Sequence, residues 1–312
     1  MNTLYRPLLK ILLAVLFVLA TAPNLHAEKR IGVIMTGDIP YYGAIHEIFI
    51  SELEKRFAGD EKIEIVLQRP FPDPISWSNA ARKLIAFDVD LIVTYGAPVT
   101  HAVIHEKSRI PLVYAGFYEP EEVVLDSKYV TGCGFKVPLS SLLRYFKRLK
   151  TVNTLGIIFS SLEEDSVRQY ETMARFAEQQ DIIVKKINIL SQADLDRLRT
   201  LKSDAVFITG SSLAHLWLED IVAILEKDQV PVADIFPDIN EAGVLMALYQ
   251  PSHAQGEIAA EMAWQVLSGT KPADLATHTF RDTELVFNLI EAKRLGINFP
   301  IQLLIEATRV IE

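Results

Sequence analysis

Gly32-Val33-Ile34-Met35-Thr36 and, later in the chain, Gly156-Ile157-Ile158-Phe159-Ser160 decide the fold. Each is a short apolar run that begins on glycine and ends on a small hydroxyl. Each leads into a helical pattern, Ile45 to Phe57 in the first case and Val167 to Phe176 in the second. The pieces that follow also correspond. Asp90-Leu91-Ile92-Val93-Thr94-Tyr95-Gly96 runs through a helix to Ile110-Pro111-Leu112-Val113, as Asp204-Ala205-Val206-Phe207-Ile208-Thr209-Gly210 runs to Val230-Pro231-Val232-Ala233. A β-α-β-α-β unit is thus written twice. Two copies predict two similar lobes facing a shared cleft, an arrangement that captures small molecules. A single closed barrel would show the same alternation without the doubling.

Outward from these runs, apolar β-rich segments alternate with amphipathic helical patterns, the signature of parallel α/β sheets. Strands are expected at Ile31 to Met35, Ile63 to Leu67, Leu91 to Thr94 and Leu112 to Tyr114, then at Leu155 to Phe159, Ile182 to Ile189, Ala205 to Ile208, Val232 to Ile235 and Val244 to Leu248. Their continuous apolar character suits strands buried on both faces. Ile45, Ile48, Phe49, Leu53 and Phe57 mark the stripe of the first helix, and another helix is expected from about Ser76. Ser161 and Glu164 have capping-box spacing. Pro138 opens a helix through Leu149, and His253 to Leu267 forms another that ends at Gly269. Thr277 to Leu289 reads as one extended segment and Ile301 to Ile311 as a closing helix.

The first 27 residues read as a secretory signal peptide. Arg6 and Lys10 precede the apolar run Ile11 to Ala20, and Ala27 offers a cleavage position before Glu28. The residue directly after that position is Glu28 and not a cysteine, so a periplasmic protein is expected rather than a lipoprotein. The 31 Lys and Arg residues against 40 Asp and Glu leave a net charge of −9, which argues against nucleic acid and anionic membranes as partners. With Cys133 alone, no internal disulfide is possible, and a buried, inert thiol is expected.

In parallel α/β sheets, ligands sit beyond the carboxyl ends of strands, where helix N-termini present free N–H groups. Ligand contacts are therefore expected from Thr36, Tyr95, Gly96, Gly116 and Glu119 in the first lobe, and from Ser160, Ser211 and Asp234 in the second. The same loops carry Tyr41, Tyr42, Phe117, Tyr118 and Phe236, rings able to sandwich a planar ligand. Asp234→Ala is expected to weaken ligand binding without unfolding the protein. The glycines at 132 and 134 lack the rest of a dinucleotide fingerprint, and no phosphate-loop lysine motif occurs. His101 and His105 share a helix face but have no third metal ligand nearby. No nucleophile elbow or triad is recognisable, so neither catalysis nor a cofactor is expected.

The closing part of the sequence carries a more specific resemblance. Gly243-Val244-Leu245-Met246-Ala247, Gly256-Glu257-Ile258-Ala259-Ala260 and Leu267-Ser268-Gly269-Thr270-Lys271-Pro272 are followed by Glu284-Leu285-Val286-Phe287-Asn288, Ala292-Lys293-Arg294-Leu295-Gly296-Ile297 and Pro300. With Val130-Thr131-Gly132 and Glu119-Pro120, this order resembles the ABC transporter substrate-binding proteins that include tryptophan- and other aromatic-amino-acid-binding members. The resemblance implies a type I periplasmic-binding fold: two Rossmann-like lobes of parallel sheet joined by three hinge crossings. It also implies a monomeric receptor that closes on a small ligand and delivers it to an inner-membrane permease. Many members carry an Asp-Asn pair where this chain has Ser211-Ser212, and a hydroxyl-bearing loop where it has Gly96-Ala97-Pro98. Glu119, Glu164 and Asp234 are then the acids available to a ligand ammonium.

The expected lobes comprise residues 28–131 with 251–276, and 132–250 with 277–312. Two other functions fit the same outline. One is the ligand-sensing component of a signalling system. The other is a two-lobed enzyme such as an amino-acid racemase, which would need a second cysteine facing Cys133 across the cleft.

Overall fold

The computed structural model describes residues 28–57, 62–122, 128–237 and 243–312. The expected signal peptide lies outside the described residues. Two sheets organise the chain. The first contains β1 (Lys29–Met35), β2 (Ile63–Gln68), β3 (Leu91–Tyr95), β4 (Leu112–Tyr118), β5 (Val130–Phe135) and β11 (His278–Phe280) in the order β11-β5-β4-β3-β1-β2. The second contains β6 (Thr154–Phe159), β7 (Ile183–Asn188), β8 (Ala205–Ile208), β9 (Val232–Asp234), β10 (Met246–Tyr249), β12 (Glu284–Asn288) and β13 (Arg309–Ile311) in the order β13-β12-β10-β9-β8-β6-β7. Pairing is parallel except between β10 and β12. The doubled pattern in the sequence is the doubled sheet.

Helices close the faces of both sheets: α1 (Pro40–Arg56), α2 (Pro74–Ala86), α3 (Ala97–His105), α4 (Leu139–Leu149), α5 (Glu164–Glu178), α6 (Ser212–His215), α7 (Leu218–Glu226), α8 (Ser252–Leu267), α9 (Leu289–Arg294) and α10 (Ile301–Leu304). The α2 helix starts earlier than its expected position near Ser76. Pro74 occupies its first turn and Asp73 caps it, accepting from the Ile75 and Ser76 N–H groups at 2.8 and 2.9 Å. Such a cap contributes about 1 kcal/mol. The expected Ser161 capping box does not form, because α5 begins at Glu164 with Glu163 at its N-cap. A capping box is found instead at Ser191 and Asp194, opening the 3-10 stretch Gln192–Thr200.

The chain crosses between the sheets three times: after β5 into α4, after β10 into α8, and between β11 and β12. The α8 helix returns to the first lobe and lies against α1, held at one end by Arg56 and Glu261 at 2.9 Å. Gly256 makes that approach possible, since a Cβ there would lie 2.8 Å from the Ile45 carbonyl oxygen. The first sheet extends beyond the boundaries expected at 131 and 276. Residues Cys133 to Phe135 pair with His278 to Phe280 inside it.

The segment expected to be one strand from Thr277 to Leu289 is two short strands, one in each sheet. The expected closing helix stops at Leu304. Residues Arg309 to Ile311 instead extend the second sheet as β13, with the Thr308 N–H donating to the Leu285 carbonyl at 2.8 Å. β-Branched Thr308, Val310 and Ile311 suit that role. Cys133 is fully buried and burial pushes its thiol well up, as expected of an inert cysteine.

Candidate ligand-binding site

The carboxyl ends of β1, β3 and β4 face those of β6, β8 and β9, and the two lobes touch along this line. The Tyr41 ring stacks on Phe236 with centroids 4.5 Å apart and planes at 19°, while Tyr42 meets Phe236 at 6.1 Å and 67°. All three side chains are buried. Arg168 Nη2 donates to the Tyr118 carbonyl at 2.7 Å, and His101 Nε2 lies 3.4 Å from Glu164. Gly37 is so close to the other lobe that a Cβ would lie 2.7 Å from Ser212 Cβ.

The glycines expected to let a ligand near the backbone are covered by the protein's own rings. Gly96, at φ 98°, lies under the Tyr42 hydroxyl, in a conformation that glycine adopts without strain. Gly116 lies under the face of the same ring, where a Cβ would come within 3.1 Å, and its N–H donates to Gln255 at 2.9 Å. Gly210 makes room for Phe236 in the same way.

The expected contact residues divide by what already occupies their polar atoms. Thr36 donates both its N–H and its Oγ1 to the Tyr95 carbonyl, at 2.9 and 2.8 Å, pinning β1 to β3. Tyr95 turns its ring under α1, edge-on to Phe49, with its hydroxyl 3.1 Å from His46 Nδ1. Ser160 closes its own loop, its N–H donating to Ser166 Oγ at 3.0 Å. Ser211 caps α6, accepting from the Ala214 N–H at 3.1 Å and donating to Glu163 at 2.6 Å. Asp234 accepts from the Ile235 and Phe236 N–H groups at 2.6 and 3.1 Å and lies 2.9 Å from His215 Nε2. Glu119, at φ 48°, pairs with Lys136 at 2.7 Å. Glu164 stands mostly exposed at the rim.

Residues outside that set hold the unspent chemistry. Asp165 is fully buried in the first turn of α5, and among the described residues only backbone of its own turn, the Ser166 N–H at 3.1 Å, donates to it. Burial raises its carboxyl to about 6. Burial and then the Asp165 charge push up the phenol of Tyr42 on the opposite lobe. Glu163 beside it is raised to about 7, by burial first and by Asp165 second. The donors Ser211, Leu213 and Ser212 only partly offset this.

Among the described residues, the buried side-chain polar atoms without a hydrogen-bond partner are Tyr41 Oη, His101 Nε2, Arg168 Nε and Ser212 Oγ. Each belongs to a residue that touches the opposite lobe. Buried polar groups are rarely left unpaired, so this clustering marks a surface made to meet something polar. The strand-end rule pointed to these loops but could not distinguish occupied hydroxyls from free ones.

Comparison with known proteins assigns the family. The family model described as ABC transporter substrate binding protein matches residues 61–311. The chain belongs to this family. Among relatives, the "Tyrosine-binding protein" of Clostridioides difficile (strain R20291) is 22% identical over 281 residues, covering 86% of this chain and 81% of that protein. Among solved structures, an ABC domain from Streptococcus pneumonia in complex with L-Trp superimposes with a TM-score of 0.83 at 24% identity, covering 91% of this chain and 100% of that one. A conserved domain protein from Vibrio cholerae gives 0.84 at 20% identity, covering 90% and 99%. The two-lobed type I periplasmic-binding architecture expected from the sequence is therefore the architecture of this substrate-binding protein. Among the described residues, no helix is long and apolar enough to cross a membrane.

Proposed function

We propose that this substrate-binding protein is exported to the periplasm, captures a small organic ligand between its lobes and presents it to the permease of an ABC importer. The observation that carries the proposal is the set of buried polar atoms without a hydrogen bond on Tyr41, His101, Arg168 and Ser212, gathered where the lobes meet. Lobe separation at the crossings after Phe135, after Tyr249 and between Phe280 and Glu284 would part the Tyr41–Phe236 stack and open the space between them.

A ligand with a flat ring could replace one partner of that stack, while its polar groups meet Ser212, the Tyr41 hydroxyl and the buried Asp165 carboxylate. An aromatic amino acid has these features together: a ring, an ammonium for Asp165 and a carboxylate for the Arg168 Nε–H. Asp165 thereby takes the part that the sequence alone offered to Glu119, Glu164 or Asp234. No step needs a catalytic residue.

A thermal-shift screen of the purified protein against amino acids, aromatic acids and nucleobases tests this reading. A ligand that binds only the folded state stabilises it by about 2.7 kcal/mol at a hundred times its Kd, so a true ligand raises the melting temperature with concentration. A flat response across the whole panel would remove these compounds as the ligand class.

A further inference from the structure

Beside the hinge lies a cavity of about 410 Å³, open to solvent. Its walls come from both lobes: Glu119 and Lys136 from the first, the α5 helix from the second, with the first turn of α4 between them. Along α5, Arg168, Thr172 and Arg175 recur at helical spacing and share the face that lines it.

Donors outnumber acceptors there. Glu119 is already held by Lys136. Arg168 spends one nitrogen on the Tyr118 carbonyl, and its Nε is shut away from solvent and so from this open cavity. Arg175 takes part in no ion pair among the described residues. The first turn of α4 carries no acidic side chain. Glu171 is the other acid on the wall, and it is exposed.

We propose that this cavity binds the oxyanion of a small acid, a carboxylate or a phosphate, bridging Lys136 of one lobe to Arg175 of the other. The planar guanidinium fork matches both oxyanions, and bonds between ionised partners are roughly twice as strong as neutral ones. Because the bridge joins the two lobes, the oxyanion favours the conformation in which they meet, whatever the cleft itself binds.

Calorimetric titration of the purified protein with inorganic phosphate and, separately, with succinate at fixed ionic strength distinguishes the two sources. Saturable binding of at least one is expected. Arg175→Gln and Lys136→Gln should each weaken it about tenfold or more, the equivalent of one lost charge-assisted bond. Arg175 is exposed, so Arg175→Gln should retain the melting temperature and still capture any ligand found for the cleft. Absence of saturable binding to either probe overturns the proposal, as does binding that either substitution leaves unchanged.

Discussion

Asp165 and Asp234 both stand at the cleft side of the second sheet and both are buried, yet they are built differently. Asp234 ends β9, and its carboxylate is engaged by two backbone N–H groups and by His215. Asp165, in the first turn of α5, accepts only from backbone of its own turn, and the nearby Arg168 charge only partly offsets its burial. The first holds the β9 end and α6 together inside the lobe. The second carries charge that bears on Tyr42 of the other lobe, with its proton bound more tightly than in an ordinary carboxyl. Burial alone does not mark a ligand-binding acid; the acceptor capacity left over does.

The largest effect should come from Asp234→Ala. Removing a buried acceptor costs about 1–3 kcal/mol for each group left unsatisfied, and here the Ile235 and Phe236 N–H groups both lose theirs. Urea denaturation should show that loss directly. An unchanged midpoint together with weakened ligand binding would return Asp234 to the site, where the sequence alone had placed it.

Asp165→Asn should act in the opposite direction. The folded protein binds this proton more tightly than the unfolded chain, so stability falls as pH rises from the ordinary value of 3.8 through about 6. A shift of that size corresponds to at most about 3 kcal/mol. Asparagine does not titrate, so the variant should be the more stable protein at neutral pH, and the two stability curves should converge in acid. Glu163, raised to about 7, leaves a residual slope in both. Parallel curves for wild type and variant would mean that Asp165 is solvated, and the contrast with Asp234 would disappear.

What the sequence made legible follows from how local each signal is. The strands of both sheets announce themselves as apolar runs because each is covered on both faces, and β3 and β8 are fully buried. The split of Thr277 to Leu289 is not legible, because its two strands pair with β5 and β10, far away in the chain. In the cleft, Gly96, Gly116 and Gly210 were legible as places of close approach, but a ligand and the protein's own Tyr42 or Phe236 make the same demand on a glycine. Asp165 escaped notice because Glu163-Glu164-Asp165 reads as a solvated helix start, whereas the folded protein buries it.

Phe236→Leu should have a smaller effect. Leucine keeps most of the apolar volume but gives up the stack on Tyr41, worth about 0.5–1.5 kcal/mol beyond the buried area. A double-mutant cycle with Tyr41→Leu isolates that contribution. A coupling energy near zero would mean that the rings do not meet across the lobes in solution, and that the cleft is held shut by its other contacts, Arg168 with Tyr118 and His101 with Glu164.

The smallest effect on stability is expected at Ser212, and its neighbour supplies the control. Ser211 carries the cap of α6 and a hydrogen bond to Glu163, so Ser211→Ala should cost about 1 kcal/mol. Ser212 Oγ is buried without a well-formed hydrogen bond, with the Tyr42 hydroxyl of the other lobe as its neighbour, so Ser212→Ala should leave the ligand-free protein within about 0.5 kcal/mol of wild type. If a ligand from the screen bonds that hydroxyl, its affinity in the Ser212→Ala protein should fall about tenfold, the equivalent of one hydrogen bond of about 1.4 kcal/mol. Calorimetry on the two alanine variants separates the roles. A hydroxyl that matters only when ligand is present belongs to the binding surface, whereas one that matters only to melting belongs to the scaffold. Equal losses of stability at both positions would show that Ser212 has a partner inside the protein, and the polar atoms that define the cleft would be one fewer.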